Sequence, residues 1–152
     1  SDPSEDKPRV SDAEMLERFQ NSKKRPPCSD TLGMHLAEVE QDAKRIRMDF
    51  DVPGMFANPT GAVQGGFIAA MMDEAMSTCC IIASNVTMTA PTLEMKTSYL
   101  RRLMPGAASV EARILKWGRS AAFMEAERFD AYGKLVAKAT ATAIPMPFKR
   151  LS

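Results

Sequence analysis

Residues 65–84, GGFIAAMMDEAMSTCCIIAS, form a long apolar stretch that opens with two glycines and carries two adjacent carboxylates. The stretch would be apolar almost all round a helix, and such a helix belongs in the interior of a protein. A buried carboxylate costs several kcal/mol unless another group pairs with it or the protein uses it. Asp73 and Glu74 are therefore the first residues in the sequence that need an explanation.

Regular alternation identifies strands on either side of this helix. Residues 45–52, RIRMDFDV, alternate apolar and charged side chains, as a strand with one buried face does. A preceding strand from Met34 is joined to it by the turn QDAK. Turn sequences separate four further apolar segments, which predicts strands over residues 92–100, 109–116, 120–129 and 135–144.

The N-terminal part of the chain is different in character. Ser11 and Glu14 fit a capping box and predict a helix over about residues 12–22, followed by the linker SKKRPPCSD. The polar first ten residues are expected to be disordered. We therefore predict an N-terminal extension with a short helix and linker in residues 1–30. Residues 31–152 would form one α+β domain, an antiparallel sheet wrapped around one long central helix.

Composition excludes several classes of partner. The 20 Lys and Arg residues balance 19 Asp and Glu residues, so no net positive field predicts nucleic-acid binding. Three cysteines, two of them adjacent in an apolar stretch, suit neither a disulfide framework nor a zinc site and indicate reduced thiols. Apolar stretches broken by polar residues, and a polar N-terminus, predict no membrane span and a soluble, cytoplasmic protein.

Most catalytic motifs are missing from the sequence. Its one histidine, His35, is far in sequence from the other candidate residues, so a Ser-His-Asp or Cys-His arrangement is not supported. There is no phosphate-binding loop, no dinucleotide-binding glycine motif and no cluster of metal ligands. We therefore predict no metal site.

Helix geometry defines how the remaining groups could cooperate. Gly65 and Gly66 would leave backbone N–H groups free at the start of the central helix, where its dipole favours developing negative charge. Asp73 lies roughly 12 Å further along the axis, so one helix cannot bring both groups to the same carbonyl. Antiparallel central helices in a two-fold dimer would bring the two groups together. Such a dimer would contain two composite sites. Alternatively, Asp73 is a structural acid bonded to backbone across a dimer interface.

The pattern around this helix resembles that of the hot-dog fold acyl-CoA thioesterases, in the branch of the phenylacetate-degradation and hydroxybenzoyl-CoA thioesterases. The resemblance covers about residues 31–146 and includes TLEMKTSYLRRLMPG and WGRSAAFMEAERFDAYGKLVAKATAT. Its central motif is carried here by Asn58, Gly61, Gln64, Gly65, Gly66 and Asp73.

That resemblance implies a homodimer, or a dimer of dimers, that hydrolyses a thioester of coenzyme A. It implies that Asp73 is the general base or nucleophile and that the Gly65 amide polarises the thioester carbonyl. Asn58 would hold the carbonyl or the water, and Thr92 would orient the water.

Two residues depart from the family pattern. Gln64 replaces the usual histidine of the motif and cannot titrate, although a capping or hydrogen-bonding role remains open to it. Thr92 is in phase with the polar face of its strand, so we expect it to reach the site only at the strand end or through a bulge.

Coenzyme A carries phosphates, which require cations near the site. Arg101, Arg102, Lys116 and Arg119, with Ser120, match positions where relatives contact the cofactor; a plain surface role is an equal alternative for each charge. The predicted substrate is a medium-chain, long-chain or aryl acyl-CoA, with no separate cofactor. Two alternatives are a non-catalytic acyl-CoA-binding or regulatory protein, for which Gln64 argues, and a dehydratase, which usually needs a histidine absent here.

Overall fold

A computed structural model of the chain describes residues 8–149. An antiparallel six-stranded sheet is wrapped around one long helix, as predicted for the hot-dog fold. In chain order the elements are α1 (Asp12–Gln20), α2 (Pro27–Leu32), β1 (Met34–Glu40), β2 (Arg45–Val52), a 3-10 turn (Gly54–Phe56), α3 (Gly65–Ala83), β3 (Met88–Thr89), β4 (Thr92–Tyr99), β5 (Gly106–Trp117), β6 (Ala122–Asp130), β7 (Leu135–Ala143) and β8 (Met146–Pro147).

The large sheet has the strand order β1-β2-β5-β6-β7-β4, and every neighbouring pair is antiparallel. The central helix α3 packs mainly against β5, with further contacts to β6 and β2. Strand β4 lies at one edge of the sheet, so one side of its backbone has no neighbouring strand among the described residues. The short strands β3 and β8 form a separate pair.

Methionines fill much of the space between helix and sheet. Met71, Met72 and Met76 of α3 are fully buried against Met48 and Met124 of the sheet. The unbranched thioether side chain adapts to irregular gaps, which suits it to this role. These methionines are core residues of the subunit.

The N-terminal region is more structured than the sequence indicates. Helix α1 ends at Gln20, two residues before the predicted end. The predicted linker contains the helix α2, which starts with Pro27 at its first position and ends at Gly33 in the left-handed conformation, φ 73°. Val10 packs against the core, and its carbonyl accepts a hydrogen bond from the Gln41 side chain. The prediction of disorder is therefore wrong for this residue. Residues 1–7, which the same prediction covers, lie outside the described residues.

Helix α3 is 19 residues long and, by length and composition alone, apolar enough to cross a membrane, contrary to the expectation that polar residues interrupt it too often. In the fold, 56% of its most apolar 18-residue window is buried. The helix is apolar because it packs in the centre of the fold, as a helix that is apolar all round does in a protein interior.

Candidate active site

A cavity of about 630 Å³ lies at the N-terminal end of α3. Its walls come from the loop before the helix, from the first turn of the helix and from the end of β4 with the loop that follows. The lining residues are Asn58, Thr60, Ala62, Val63, Gly65, Ile68, Tyr99, Leu100, Arg101, Arg102 and Leu103. Four of the predicted catalytic and cation positions, Asn58, Gly65, Arg101 and Arg102, therefore share one cavity within a single chain.

The first turn of α3 presents one free backbone donor to this cavity. Gln64 caps the helix, because its side-chain Oε1 accepts the Gly66 N–H at 2.7 Å. Its backbone carbonyl accepts the N–H groups of Phe67 and Ile68. Within residues 8–149, the Gly65 N–H has no acceptor. This amide can donate to a bound carbonyl oxygen at the positive end of the helix dipole.

Asn58 is fixed in the turn that precedes the helix. Its side-chain Oδ1 accepts hydrogen bonds from the Thr60 N–H at 2.9 Å and the Thr60 hydroxyl at 2.7 Å. Its backbone carbonyl accepts the Gly61 N–H, and Gly61 has a left-handed φ of 87° that favours glycine. Because the carboxamide oxygen is engaged, the Nδ2 group is the part of Asn58 left for a ligand, and it can only donate.

Asp73 lies further along α3 and is paired with a hydroxyl from the sheet. Thr92 Oγ1 donates to Asp73 Oδ1 at 2.6 Å. Thr92 is the first residue of β4, and a register shift between Thr92 and Glu94 marks a bulge, so the strand end and the bulge both aim this side chain at the helix. In the described part of the chain Asp73 Oδ2 has no hydrogen-bond partner and remains available as an acceptor.

Glu74 points in another direction and is covered by α2. The hydroxyl of Ser29, itself buried, donates a short hydrogen bond to Glu74 Oε1. Glu74 Oε2 is buried and has no partner among the described residues. Burial raises the pKa of Glu74 and the Asp73 carboxylate adds to the rise, while the Ser29 hydrogen bond and the Arg25 charge oppose it. Ser29 was not anticipated from the sequence.

The two arginines at the cavity differ in their freedom. Arg102 Nη2 donates to the carbonyl of Thr60 at 3.0 Å and to its hydroxyl at 3.2 Å, which ties the loop after β4 to the loop before α3. The Arg101 guanidinium has no hydrogen-bond or ion-pair partner among residues 8–149 and is exposed. Arg101 is therefore the cation left free at the mouth of this cavity.

The other predicted coenzyme A contacts lie elsewhere. Lys116, Arg119 and Ser120 belong to the hairpin between β5 and β6 and do not line the cavity. Strand register places this hairpin at the opposite end of the sheet, because Trp117 pairs with Ala122, Ala122 with Ala143, and Ala143 with Thr92. The hairpin thus shares its end of the sheet with Thr92.

The structure therefore divides the predicted site into two groups within one chain. Backbone and side-chain donors gather at the start of α3, whereas the carboxylate with its threonine lies near the middle of the helix. Tyr99, which the sequence motifs do not indicate, also lines the cavity, and its hydroxyl donates to the Gly65 carbonyl at 2.7 Å. Among residues 8–149, no group of three or more His, Cys, Asp or Glu side chains is placed to hold a metal ion.

Comparison with known proteins agrees with this architecture. The family model for the thioesterase superfamily matches residues 60–137. A candidate thioesterase from Ralstonia eutropha JMP134, related to phenylacetic acid degradation, is 30% identical with a TM-score of 0.78, and the match covers 86% of this chain and 98% of that one. A search of curated protein sequences gave no match.

More distant structures share the fold. A thioesterase from Haemophilus influenzae is 16% identical with a TM-score of 0.75, over 94% of this chain and 95% of that one. A Streptococcus mutans protein solved with bound acetyl-CoA is 18% identical with a TM-score of 0.73, over 86% and 99% of the two chains. Together with the family match, the wrapped helix and its glycine-led first turn identify this chain as a member of the thioesterase superfamily.

Proposed function

We propose that the chain is an acyl-CoA thioesterase whose active site forms between two subunits. The observation that carries this proposal is the separation of two complementary groups on one helix. The Gly65 N–H is a free donor at the cavity, and Asp73 Oδ2 is a free acceptor about 12 Å further along α3. Each group is half of a site for hydrolysing a carbonyl compound, and neither reaches the other within its own chain.

A two-fold dimer with antiparallel central helices would join the halves. Helix α3 leaves one face of small residues partly exposed in the single chain, on both sides of Asp73: Gly66, Ala69, Ala70 and Ser77. Strand β4 next to it is a sheet edge with unpaired backbone groups, which a second copy can pair with. Pairing along this edge would set the start of one helix beside the middle of its partner.

Hydrolysis in such a site requires few groups. The thioester carbonyl oxygen would accept hydrogen bonds from the Gly65 N–H and Asn58 Nδ2, which would stabilise the negative charge that develops on it. Asp73 of the partner subunit would either take a proton from the attacking water or attack the carbonyl carbon itself. In either route the C–S bond breaks and the thiolate of coenzyme A leaves, which needs little acid assistance. After direct attack by Asp73, water would then hydrolyse the mixed anhydride on that carboxylate and release the free acid. Gln64 acts as the helix cap in this scheme.

The predicted acyl group is medium-chain, long-chain or aryl. Val63, Ile68 and Leu103 give the cavity apolar, buried walls, while the exposed Leu100 and Met104 extend an apolar surface at its edge. Arg101 would meet the phosphates of coenzyme A at the cavity mouth. Lys116, Arg119 and Ser120 of the partner subunit would contribute from their end of the sheet, since they lie on the Thr92 side that a composite site brings close.

A panel of acyl-CoAs, followed by the release of free thiol, tests this proposal. We expect turnover with at least one member of the panel, and turnover that depends on Asp73. Because Gln64 cannot titrate, the alternative is a protein that binds acyl-CoA without cleaving it. Tight binding by the wild-type protein in calorimetry, with no thiol released from any substrate, would overturn hydrolysis and favour that alternative.

A further inference from the structure

Tyr99 makes two contacts with the first residue of the central helix. Its hydroxyl donates to the Gly65 carbonyl at 2.7 Å, over a sequence separation of 34 residues. Its ring lies on the Gly65 Cα, because a Cβ added there would stand 3.2 Å from two ring carbons. The side chain is nevertheless 51% exposed and lines the cavity. Tyr99 therefore joins the end of β4 to the helix start at the surface of the candidate site.

The peptide between Gly65 and Gly66 is held at both of its polar ends. Tyr99 donates to its carbonyl oxygen, and Gln64 Oε1 accepts its N–H at 2.7 Å. Two consecutive glycines give the backbone unusual freedom, and the first turn of a helix lacks the hydrogen bonds that stabilise later turns. The two side chains supply the restraint that the glycines do not.

We propose that Tyr99 is a positioning residue for the Gly65 amide. Fixing the Gly65–Gly66 peptide limits rotation about the Gly65 backbone and so keeps the preceding N–H directed into the cavity. A donor aimed in advance at a developing oxyanion stabilises the transition state more than one that must reorient. The proposal rests on the hydrolytic function proposed above, and Tyr99 acts through Gly65 without touching the reacting atoms.

The first experiment compares Tyr99→Phe with Tyr132→Phe. The second tyrosine is the matched control, since it is 90% exposed on the turn between β6 and β7 and makes no side-chain hydrogen bond within the described residues. For Tyr99→Phe we expect kcat to fall roughly threefold to tenfold with KM within about twofold, as for loss of one hydrogen bond that acts mainly in the transition state. Equal kcat values for both variants would overturn the proposal.

A second measurement does not depend on turnover. In nuclear magnetic resonance of the folded protein, we expect the Gly66 amide of Tyr99→Phe to exchange its hydrogen roughly threefold to tenfold faster, and that of Tyr132→Phe to be unchanged. If no acyl-CoA is cleaved, the hydrolytic function fails while the exchange rate still reports whether Tyr99 restrains the helix start. Unchanged exchange in Tyr99→Phe would refute the restraint, whatever the activity.

Discussion

Asp73 and Glu74 are consecutive carboxylates on one helix, yet the fold gives them opposite surroundings. Asp73 faces the partly exposed small-residue side of α3, with one oxygen held by Thr92 and the other free. Glu74 is turned about 100 degrees away. It lies under α2, with one oxygen held by Ser29 and the other buried without a partner among the described residues. The neighbouring element therefore decides which of two adjacent acids stays accessible.

The largest expected effect is on turnover when each acid is neutralised. Asp73→Asn removes the carboxylate that faces the exposed side of α3, so we expect thiol release to fall by about a hundredfold to ten-thousandfold. Glu74→Gln should retain turnover within about threefold, because that side chain faces α2. Both variants are measured in the same thiol-release assay, with folding checked by circular dichroism. Equal losses of turnover in the two variants would contradict the assignment of the reaction to Asp73 alone.

The hydroxyl partners sharpen the same comparison. Thr92→Val keeps the shape of the side chain but frees Asp73 Oδ1, so we expect kcat to drop about tenfold with little change in the free energy of unfolding. Ser29→Ala leaves a buried Glu74 oxygen unpaired, so we expect a loss of about 1–3 kcal/mol in the free energy of unfolding with turnover preserved. Steady-state kinetics and urea unfolding measure both properties. A loss of stability without a loss of kcat in Thr92→Val, and the opposite in Ser29→Ala, would contradict the roles assigned to the two hydroxyls.

The pH dependence of stability is expected to come from Glu74. Its pKa is raised in the folded chain, first by burial, so the folded state binds this proton more tightly than the unfolded state. Stability contributed by the group is present at low pH and is lost as pH rises from about 4.3, the ordinary glutamate value, through the raised folded value. Urea unfolding across this range should show the decline in the wild type. In Glu74→Gln the decline should be shallower, and an identical slope would contradict the assignment.

The smallest effect is expected at the consecutive arginines. Arg101 is free at the cavity mouth, whereas Arg102 is tied to Thr60. Arg101→Gln should raise KM for acyl-CoA about twofold to fivefold, and added salt should shrink the difference because exposed charges are screened. Arg102→Gln should alter KM in a less salt-dependent way, since its bonds organise the two loops. Matching salt dependence in both variants would show that Arg102 also meets phosphate.

Periodicity was sufficient to predict the main elements of the fold. The apolar run defines α3, and the strict alternation of residues 45–52 defines β2. The two short strands β3 and β8 and the six-residue helix α2 contain too few residues for a period to be recognised, although Pro27 and Gly33 mark the ends of α2. Long and regular elements are therefore readable from sequence, whereas short ones need tertiary contacts to define them.

The residues of the candidate site were predicted from the sequence, but several of their contacts were not. The motif spacing indicated Gly65 and Asp73, and the strand phase anticipated how Thr92 reaches the helix. Ser29 could not be foreseen, because it meets Glu74 across 45 residues. Tyr99 likewise meets Gly65 across 34 residues. Such pairs depend on how elements pack, which local sequence does not encode.

The buried cation Arg128 is a further case in which tertiary packing, and not residue type, determines the position of a side chain. Arg128 lies in phase with the inward-facing Met124 and Ala126 of β6, and its charge argues against the interior. In the structure it is fully buried against the Phe50 ring, 4.9 Å from the ring centroid. Its three guanidinium nitrogens lack a hydrogen-bond partner within residues 8–149, and burial lowers its pKa to about 10. The inward position of Arg128 agrees with the phase of its strand, whereas the charge of its side chain favours the surface.

The central claim is that donor and carboxylate come from different subunits. Gly65→Pro is a suitable donor knockout, because proline is tolerated at the first helical position and removes this N–H without breaking a hydrogen bond of the helix. Gln64 has φ −65° and ψ 135°, a conformation that a residue before proline favours. Gly65→Ala is its control, since it adds the same Cβ beside the Tyr99 ring and retains the N–H.

The most direct measurement is therefore thiol release by dimers formed from co-expressed Asp73→Asn and Gly65→Pro chains, each of which we expect to be inactive alone. If the site is composite, half of the randomly paired dimers contain one intact site, and activity should recover to about a quarter of the wild-type value. If both groups act within one subunit, every site in the mixture is defective. Activity no greater than that of the separate variants would then contradict the account.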